Sequence, residues 1–303
     1  MQTNWSTYLS SIQLGDSKAL ARVISLIENE ESGYENWLAS LPNKNTPIIG
    51  ITGPPGAGKS TLTDALIEVL IAKGKKVAVL CVDPSSPFHR GALLGDRIRM
   101  SEWYTNSSVF IRSLASRGSM GGLHPKIIEI TEVLKQAPYD YIIIETVGVG
   151  QSEVEIAGLA NITAVVVVPE AGDEIQTMKA GLMEIADLFI VNKSDRPDAG
   201  VFVRNLRNML APAFSIKKTE IPILQTTATN KTGIEEVWNA IESLLSNKKD
   251  NENNHWLMAE KAYYLIEKKR MKDIDRVALK DAVAASIEKG NFNLYQFIEQ
   301  YYA

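Results

Sequence analysis

The 303-residue chain holds a single cysteine, Cys81, and only three histidines. One thiol excludes an internal disulfide framework and a cysteine-rich zinc site. His89, His124 and His255 are far apart and show no ligand spacing, so each reads as structural or solvent-exposed. No apolar run approaches the ~20 residues needed to cross a bilayer. Basic clusters are missing as well. The 32 Lys and Arg are scattered against 36 Asp and Glu, for a net charge of -4, which gives no nucleic-acid footprint. The opening residues MQTNWSTYLS carry neither a basic region nor an apolar core, so no secretory signal and a cytoplasmic chain are expected. There are no internal repeats and no low-complexity tracts. What remains is an ordinary globular composition, 45% hydrophobic and 22% charged, expected to engage neither membrane nor nucleic acid.

Three regions follow from the patterning. Over residues 1–46, Leu9, Ile12, Leu20, Val23, Ile24 and Ile27 recur at near-helical spacing before the polar stretch PNKNT, which predicts an N-terminal helical arm. Over 47–246, short β-branched runs alternate with amphipathic stretches: PIIGIT, KVAVLCV, SVFIRS, YDYIIIET, TAVVVVP, LFIVNK and IPILQT. Several are apolar on both faces, as in parallel strands covered by helices on each side. The fold class is therefore α/β, a doubly wound, mostly parallel sheet of about seven strands with N- and C-terminal helical extensions. After the polar SNKKDNENN, residues 247–303 read as a helical extension with aromatics at helical spacing, in WLMAEKAYYLIEKK and LYQFIEQYY. An apolar stripe on an appended helix either packs on the core or forms a dimer interface.

The first chemical motif is GPPGAGKST. Gly53, Gly58, Lys59 and Ser60 stand in the GxxxxGK[ST] register, after a predicted strand and before the helical STLTDALIEVLIAKG. In that context the loop Gly53, Pro54, Pro55, Gly56, Ala57 and Gly58, with Lys59, Ser60 and Thr61, reads as a phosphate cradle of a P-loop NTPase. Backbone N–H groups converge on the phosphates, Lys59 reaches the β and γ oxygens, and Ser60 ligates Mg²⁺. The positive end of the helix dipole adds to the attraction.

The base is indicated by VNKSD. Asn192, Lys193 and Asp195 form an NKxD pattern at the end of a predicted strand. A carboxylate accepts two hydrogen bonds from guanine N1–H and its 2-amino group. Adenine offers neither donor, so the site would discriminate against it. Asn192 buttresses the loop or base edge, and the Lys193 stem lies along the ring. One strand–helix unit later, TTATNKTG puts Thr227, Ala228 and Thr229 where guanine-nucleotide proteins commonly present a backbone N–H to O6.

Acids follow neighbouring strands. Asp83 comes at the carboxyl end of KVAVLCV, where ligand sites of open α/β sheets gather. Asp96 lies beyond a glycine-bearing loop, and Glu145 ends YIIIE and opens ETVGVGQSE. Asp83, Asp96 and Glu145 are candidates to meet Ser60 around Mg²⁺, directly or through water. The alternative for each is a helix cap or loop carboxylate. Gly148 and Gly150 would let the next segment move with the γ-phosphate. Gln151 is either a water-positioning residue, by analogy with other switch proteins, or an ordinary polar one. The catalytic candidates are thus Lys59, Asp83, Glu145 and Gln151. PEAGDEIQTMKAG, with Asp173, Glu174 and Lys179, reads as a mobile or partner-facing loop, with helix capping as the alternative. Arg90, Arg97 and Arg117 are possible charge-stabilising contributors that sequence does not rank.

Taken in order, GPPGAGKST, DPSSP, GALLGDRIRM, IRSLASRGSMGGL, ETVGVGQSEVE, AGDEIQ and NKSD resemble the signature of the MeaB/ArgK group, which includes the methylmalonic aciduria type A protein. These are GTPases of the SIMIBI class of P-loop proteins, and the resemblance covers almost the whole chain. It implies a homodimeric GTPase chaperone of an adenosylcobalamin-dependent acyl-CoA mutase, gating cofactor loading, protection and reactivation. GTP/GDP and Mg²⁺ are the implied ligands. Residues Gly53 to Thr61 would bind phosphates, and Asp195 with the Thr227–Ala228 turn would bind guanine. Asp83, Asp96 and Glu145 would serve metal and switches, and PEAGDEIQTMKAG would be a further switch facing the mutase. One departure is Glu170, where the group more often has glycine.

Three rivals compete with this reading. The mutase itself would show a DxHxxG-type cobalamin stretch, which is missing. A nickel-insertion GTPase would call for His or Cys clusters. A transport-linked ATPase or kinase is opposed by NKxD, and the sequence shows no separate phosphoacceptor site.

Overall fold

A computed structural model describes residues 5–83, 100–116, 123–147, 152–171, 185–217, 221–247, 252–290 and 292–301. The chain divides into two compact units, Met1–Asn251 and Glu252–Ala303.

The first unit is built on seven strands: β1 (Ile48–Thr52), β2 (Val77–Asp83), β3 (Val109–Ala115), β4 (Tyr141–Glu145), β5 (Ile162–Val167), β6 (Leu188–Val191) and β7 (Ile223–Gln225). Their order is β3-β2-β4-β1-β5-β6-β7, and every described pairing is parallel. All seven apolar runs picked out by sequence became strands. They are buried end to end in β1, β2, β5 and β6, as expected when helices cover both faces. The chain moves outward from β1 through β2 and β3, returns at β4, and crosses to the other side with β5. That reversal opens a crevice at the carboxyl end of β1, where ligands of such sheets bind.

Alternation along each strand sends side chains to two cores. On one face, Ile48, Ala78, Leu80, Ile142 and Ile144 pack under α1 (Trp5–Gln13), α2 (Ser17–Glu28), α3 (Tyr34–Ala39), α5 (Ile127–Leu134) and α6 (Ser152–Leu159). On the other, Ile49, Ile51, Val79, Cys81 and Ile143 pack under α4 (Lys59–Ala72) and α8 (Ile234–Asn247). A third cluster joins β5 and β6 to Phe202, Val203, Leu206 and Leu210 of α7 (Ala199–Lys217). The N-terminal arm is thus part of the first unit's core.

Polar contacts also fix that arm. Arg112 of β3 donates to Glu28 at 2.6 Å and to Ser25 at 3.0 Å. Buried Lys126 reaches Tyr34 Oη at 2.6 Å, Glu30 at 2.7 Å and Glu129 at 3.5 Å. Burial lowers the Lys126 pKa, but Glu30, Tyr34 and Glu129 outweigh it and the net direction is upward.

The second unit contains α9 (Glu252–Arg270), α10 (Arg276–Glu288) and α11 (Leu294–Glu299). Asp275 and Asn293 cap α10 and α11 by accepting backbone N–H bonds at 2.8–3.2 Å. Among the described residues, no helix is long and apolar enough to cross a membrane.

Candidate active site

The loop between β1 and α4 has a backbone that forbids side chains at two points. Gly53 sits at φ +138, and a Cβ there would lie 2.0 Å from the Val166 carbonyl oxygen of β5. Gly58 sits at φ +87, and its Cβ would lie 2.4 Å from Asn192 Nδ2. Both positions therefore need glycine on conformational and steric grounds. Gly58 caps α4 without any side-chain hydrogen bond, so no side chain competes for the first N–H groups of that helix. Lys59 is buried, and its Nζ donates to the carbonyls of Gly53 at 2.9 Å and Pro54 at 3.1 Å. The ammonium is held over the loop it would share with a phosphate chain.

A cavity of about 480 Å³ opens here, lined by Pro55, Gly56, Gly58, Lys59, Ser60, Thr61, Asp83, Glu145, Thr146 and Lys193 among others. Its lining carries both signs of charge. Lys59 and the N-terminus of α4 supply positive character, and Asp83 and Glu145, each 4% exposed, are the acids. Ser60 Oγ donates to Glu145 Oε1 at 2.6 Å. Thr63 Oγ1 lies 3.2 Å from Glu145 Oε2 and 2.9 Å from the Lys59 carbonyl. The Asp83 carbonyl accepts from Ser116 N–H at 3.0 Å, tying the ends of β2 and β3. Beyond Glu145, the Thr146 N–H donates to the Ile51 carbonyl at 3.0 Å, and its hydroxyl meets Thr52 at 2.9 Å. The first step of ETVGVGQ is therefore pinned to the end of β1.

The base loop is coupled to the phosphate loop through Asn192. Its Nδ2 donates to the Ala57 carbonyl at 2.9 Å, and its Oδ1 accepts from Thr226 Oγ1 and Ala228 N–H, each at 3.1 Å. The Ala228 N–H, expected to face guanine O6, is thus donated to Asn192. A base oxygen would have to share that proton. Lys193 adopts a left-handed backbone, φ 57, and lines the cavity. Asp195 is exposed; Thr227 Oγ1 is 3.4 Å from its Oδ1. Thr229 lies in the 3-10 turn Ala228–Asn230 that follows.

Lys59, Ser60, Asp83 and Glu145 meet in one cavity, and Asn192 ties it to the turn carrying Thr227 and Ala228. Asp96, Gln151, Gly148, Gly150, Arg90, Arg97, Arg117, His89, Asp173, Glu174 and Lys179 lie outside the described residues. Glu170, in the 3-10 turn Pro169–Ala171, pairs with Arg196, the residue after the NKSD motif. The hydrogen bond from Arg196 holds the Glu170 carboxyl below its ordinary pKa. Sequence reasoning missed Thr63 and the bridging role of Asn192. The signal for Thr63 was a hydroxyl one turn after Ser60 on an otherwise apolar helix face, since a buried hydroxyl there needs a partner.

Comparison with known proteins adds relatives to this geometry. A family model described as Methylmalonyl Co-A mutase-associated GTPase MeaB matches residues 20–282. A protein of Pyrococcus abyssi is 42% identical over 296 residues, covering 94% of this chain and 88% of its own. GTPase ArgK of Escherichia coli is 37% identical over 241 residues, covering 75% of this chain and 72% of its own. The Mus musculus mitochondrial methylmalonic aciduria type A homolog is 34% identical over 230 residues, covering 73% of this chain and 53% of its own. Among solved structures, that of a LAO/AO transport system kinase superposes with a TM-score of 0.65 at 26% identity, covering 98% of this chain and 95% of that one.

Proposed function

This chain belongs to the MeaB family of GTPases, and we propose that it hydrolyses GTP as a chaperone of an adenosylcobalamin-dependent acyl-CoA mutase, methylmalonyl-CoA mutase being the first client to test. In this reading it works in the cytoplasm as a homodimer, and its GTP or GDP state gates cofactor loading, protection and reactivation of the mutase. The observation that carries the proposal is the Ser60–Glu145 hydrogen bond at 2.6 Å, set one residue before the pinned Thr146. The acid that senses the phosphate loop is continuous with the segment beginning ETVGVGQ. A change at the nucleotide therefore has a covalent route out of the cavity. The family description and the methylmalonic aciduria relative supply the chemistry of the client.

Residues Gly53 to Thr61 would hold the phosphates, and Asn192, Lys193, Asp195 and the Thr227–Thr229 turn the guanine. The donor set also fits Mg²⁺, which is usually held by one or two carboxylates plus substrate phosphates rather than by an all-protein cage. Ser60, Glu145 and Asp83 would hold the ion directly or through water, with Asp96 as a further candidate. Bound there, Mg²⁺ would neutralise charge on the phosphate oxygens. Lys59 would orient the β and γ phosphates from the phosphate loop. Gln151 is the candidate for positioning the attacking water. Residues 247–303 would provide dimer contacts through their exposed apolar side chains.

GTP turnover measured with and without the cognate mutase, with ATP as control, tests the proposal. A faster rate with mutase and little ATP turnover are expected. Equal rates in both conditions, or a preference for ATP, would remove the switch reading.

A further inference from the structure

The acid ending β4 is a glutamate, whereas P-loop NTPases commonly place an aspartate there to serve the metal. Glutamate carries one more torsion, and its terminal torsion is broad rather than sharply staggered. One anchor leaves such a carboxylate free to turn about the anchored oxygen. Two anchors fix its plane. Two are described for Glu145: Ser60 Oγ at 2.6 Å from Oε1, and Thr63 Oγ1 at 3.2 Å from Oε2. Ser60 and Thr63 are three residues apart on α4, hence on one face of the helix.

The plain alternative is that Thr63 only satisfies the Lys59 carbonyl, 2.9 Å away, as buried helical threonines often do. A hydroxyl has one proton for the two acceptors. The Lys59 carbonyl already lies within reach of the helix ladder, while a carboxylate forms the stronger, charge-assisted bond. Thr63 is wholly buried on a helix whose other buried residues include Leu62, Leu66, Ile67 and Leu70. Valine has the same shape and would pack there equally well, so packing alone does not call for the hydroxyl.

We propose that Thr63 is a positioning residue: its hydroxyl holds Glu145 Oε2, so that Oε1 stays on Ser60 and the carboxylate presents a fixed face to the cavity. This rests on reading Ser60 and Glu145 as magnesium-side groups. Thr63 is not among the residues that line the cavity. It acts through Glu145 by making the metal-side face rigid before the ligand arrives.

The test uses the full-length chain loaded with a fluorescent GDP and follows release as Mg²⁺ is titrated. Thr63→Val is expected to raise the Mg²⁺ needed for half-maximal retention about tenfold, the change that 1.4 kcal/mol produces. GDP release in excess chelator should stay unchanged, and Thr63→Ser should restore wild-type behaviour. Glu145→Asp withdraws the carboxylate by a methylene, so in that background Thr63→Val should add nothing, a cycle that a purely structural role would not produce. Thr63→Ala supplies a second hydroxyl-free variant, and melting temperatures separate misfolding from misplacement. Wild-type Mg²⁺ dependence in Thr63→Val, with the dependence lost in Glu145→Gln, would overturn the role of Thr63 and leave the metal site standing. Wild-type dependence in Glu145→Gln would overturn both.

Discussion

The unit spanning Met1–Asn251 and the unit spanning Glu252–Ala303 dispose of their apolar side chains in opposite ways. In the first, whole strands are buried along their length, and Ile142, Ile143 and Ile144 are each 0% exposed. In the second, no described side chain is buried, and Tyr263, Val277, Ile287 and Tyr295 are more than half exposed. Two of its helices, α10 and α11, start at side-chain caps from Asp275 and Asn293. Isolated helices as short as α10 and α11 are marginal without packing. The first unit is built around buried cores, whereas the described apolar side chains of the second stand largely exposed. The described cavity lies in the former, and the proposed assembly contacts lie in the latter.

Paired truncations break this comparison most sharply. Ile144→Ala removes a fully buried side chain between β4 and the helices above it, and should cost about 3–4 kcal/mol in a denaturant titration. Ile287→Ala, at a site 54% exposed on α10, should change stability by no more than about 0.5 kcal/mol. Equal costs would mean that the second unit is cored after all.

Much of this contrast was legible in the sequence, and some was not. Seven β-branched runs became seven strands because parallel strands buried on both faces need continuous apolar sequence. Lys59, Ser60, Asp83 and Glu145 came together because each stands at the carboxyl end of a strand or the start of the helix after it. Invisible beforehand was which way the terminal stripes would face. An apolar stripe looks the same whether it covers a sheet, as Ile12, Leu20 and Ile27 do, or stays open, as on α9 and α10. Thr63 and the Asn192 bridge were hidden for a related reason. Their partners, Glu145 and Ala57, are 82 and 135 residues away, and no local pattern reports such pairs.

Lys126 sharpens the comparison at a polar position within the first unit. Lys126→Met keeps most of the bulk and deletes the ammonium that faces Glu30, Glu129 and Tyr34. Leaving those groups without their cation should cost about 3 kcal/mol, at the low end for a broken buried pair because Glu30 is partly exposed. The sign of the pH dependence follows from the raised Lys126 pKa. The stabilisation is fully present below the unfolded lysine value of about 10.4 and is lost as pH rises through the higher folded value. The gap between wild type and Lys126→Met, measured by denaturant midpoints, should stay constant near neutrality and narrow only above about pH 10. A gap that narrows between pH 6 and 8 would place the cost elsewhere.

The smallest effect on folding, and the most direct probe of the second unit, comes from its exposed face. Tyr263 and Ile266 are three residues apart on α9, 68% and 54% exposed, and so share one side of the helix. Changing both to serine removes largely exposed apolar surface, so the folding free energy at high dilution should shift by about 0.5 kcal/mol or less. If two copies meet through this face, the wild-type melting temperature should rise with protein concentration, since association stabilises only the folded state. In the double variant that dependence should weaken or vanish, with the sedimenting species falling to half the mass while GDP binding at the cavity of the first unit is retained. A wild-type melting temperature that ignores concentration would assign the open stripe to a different protein, and the mutase used in the turnover assay is then the first candidate to cover it.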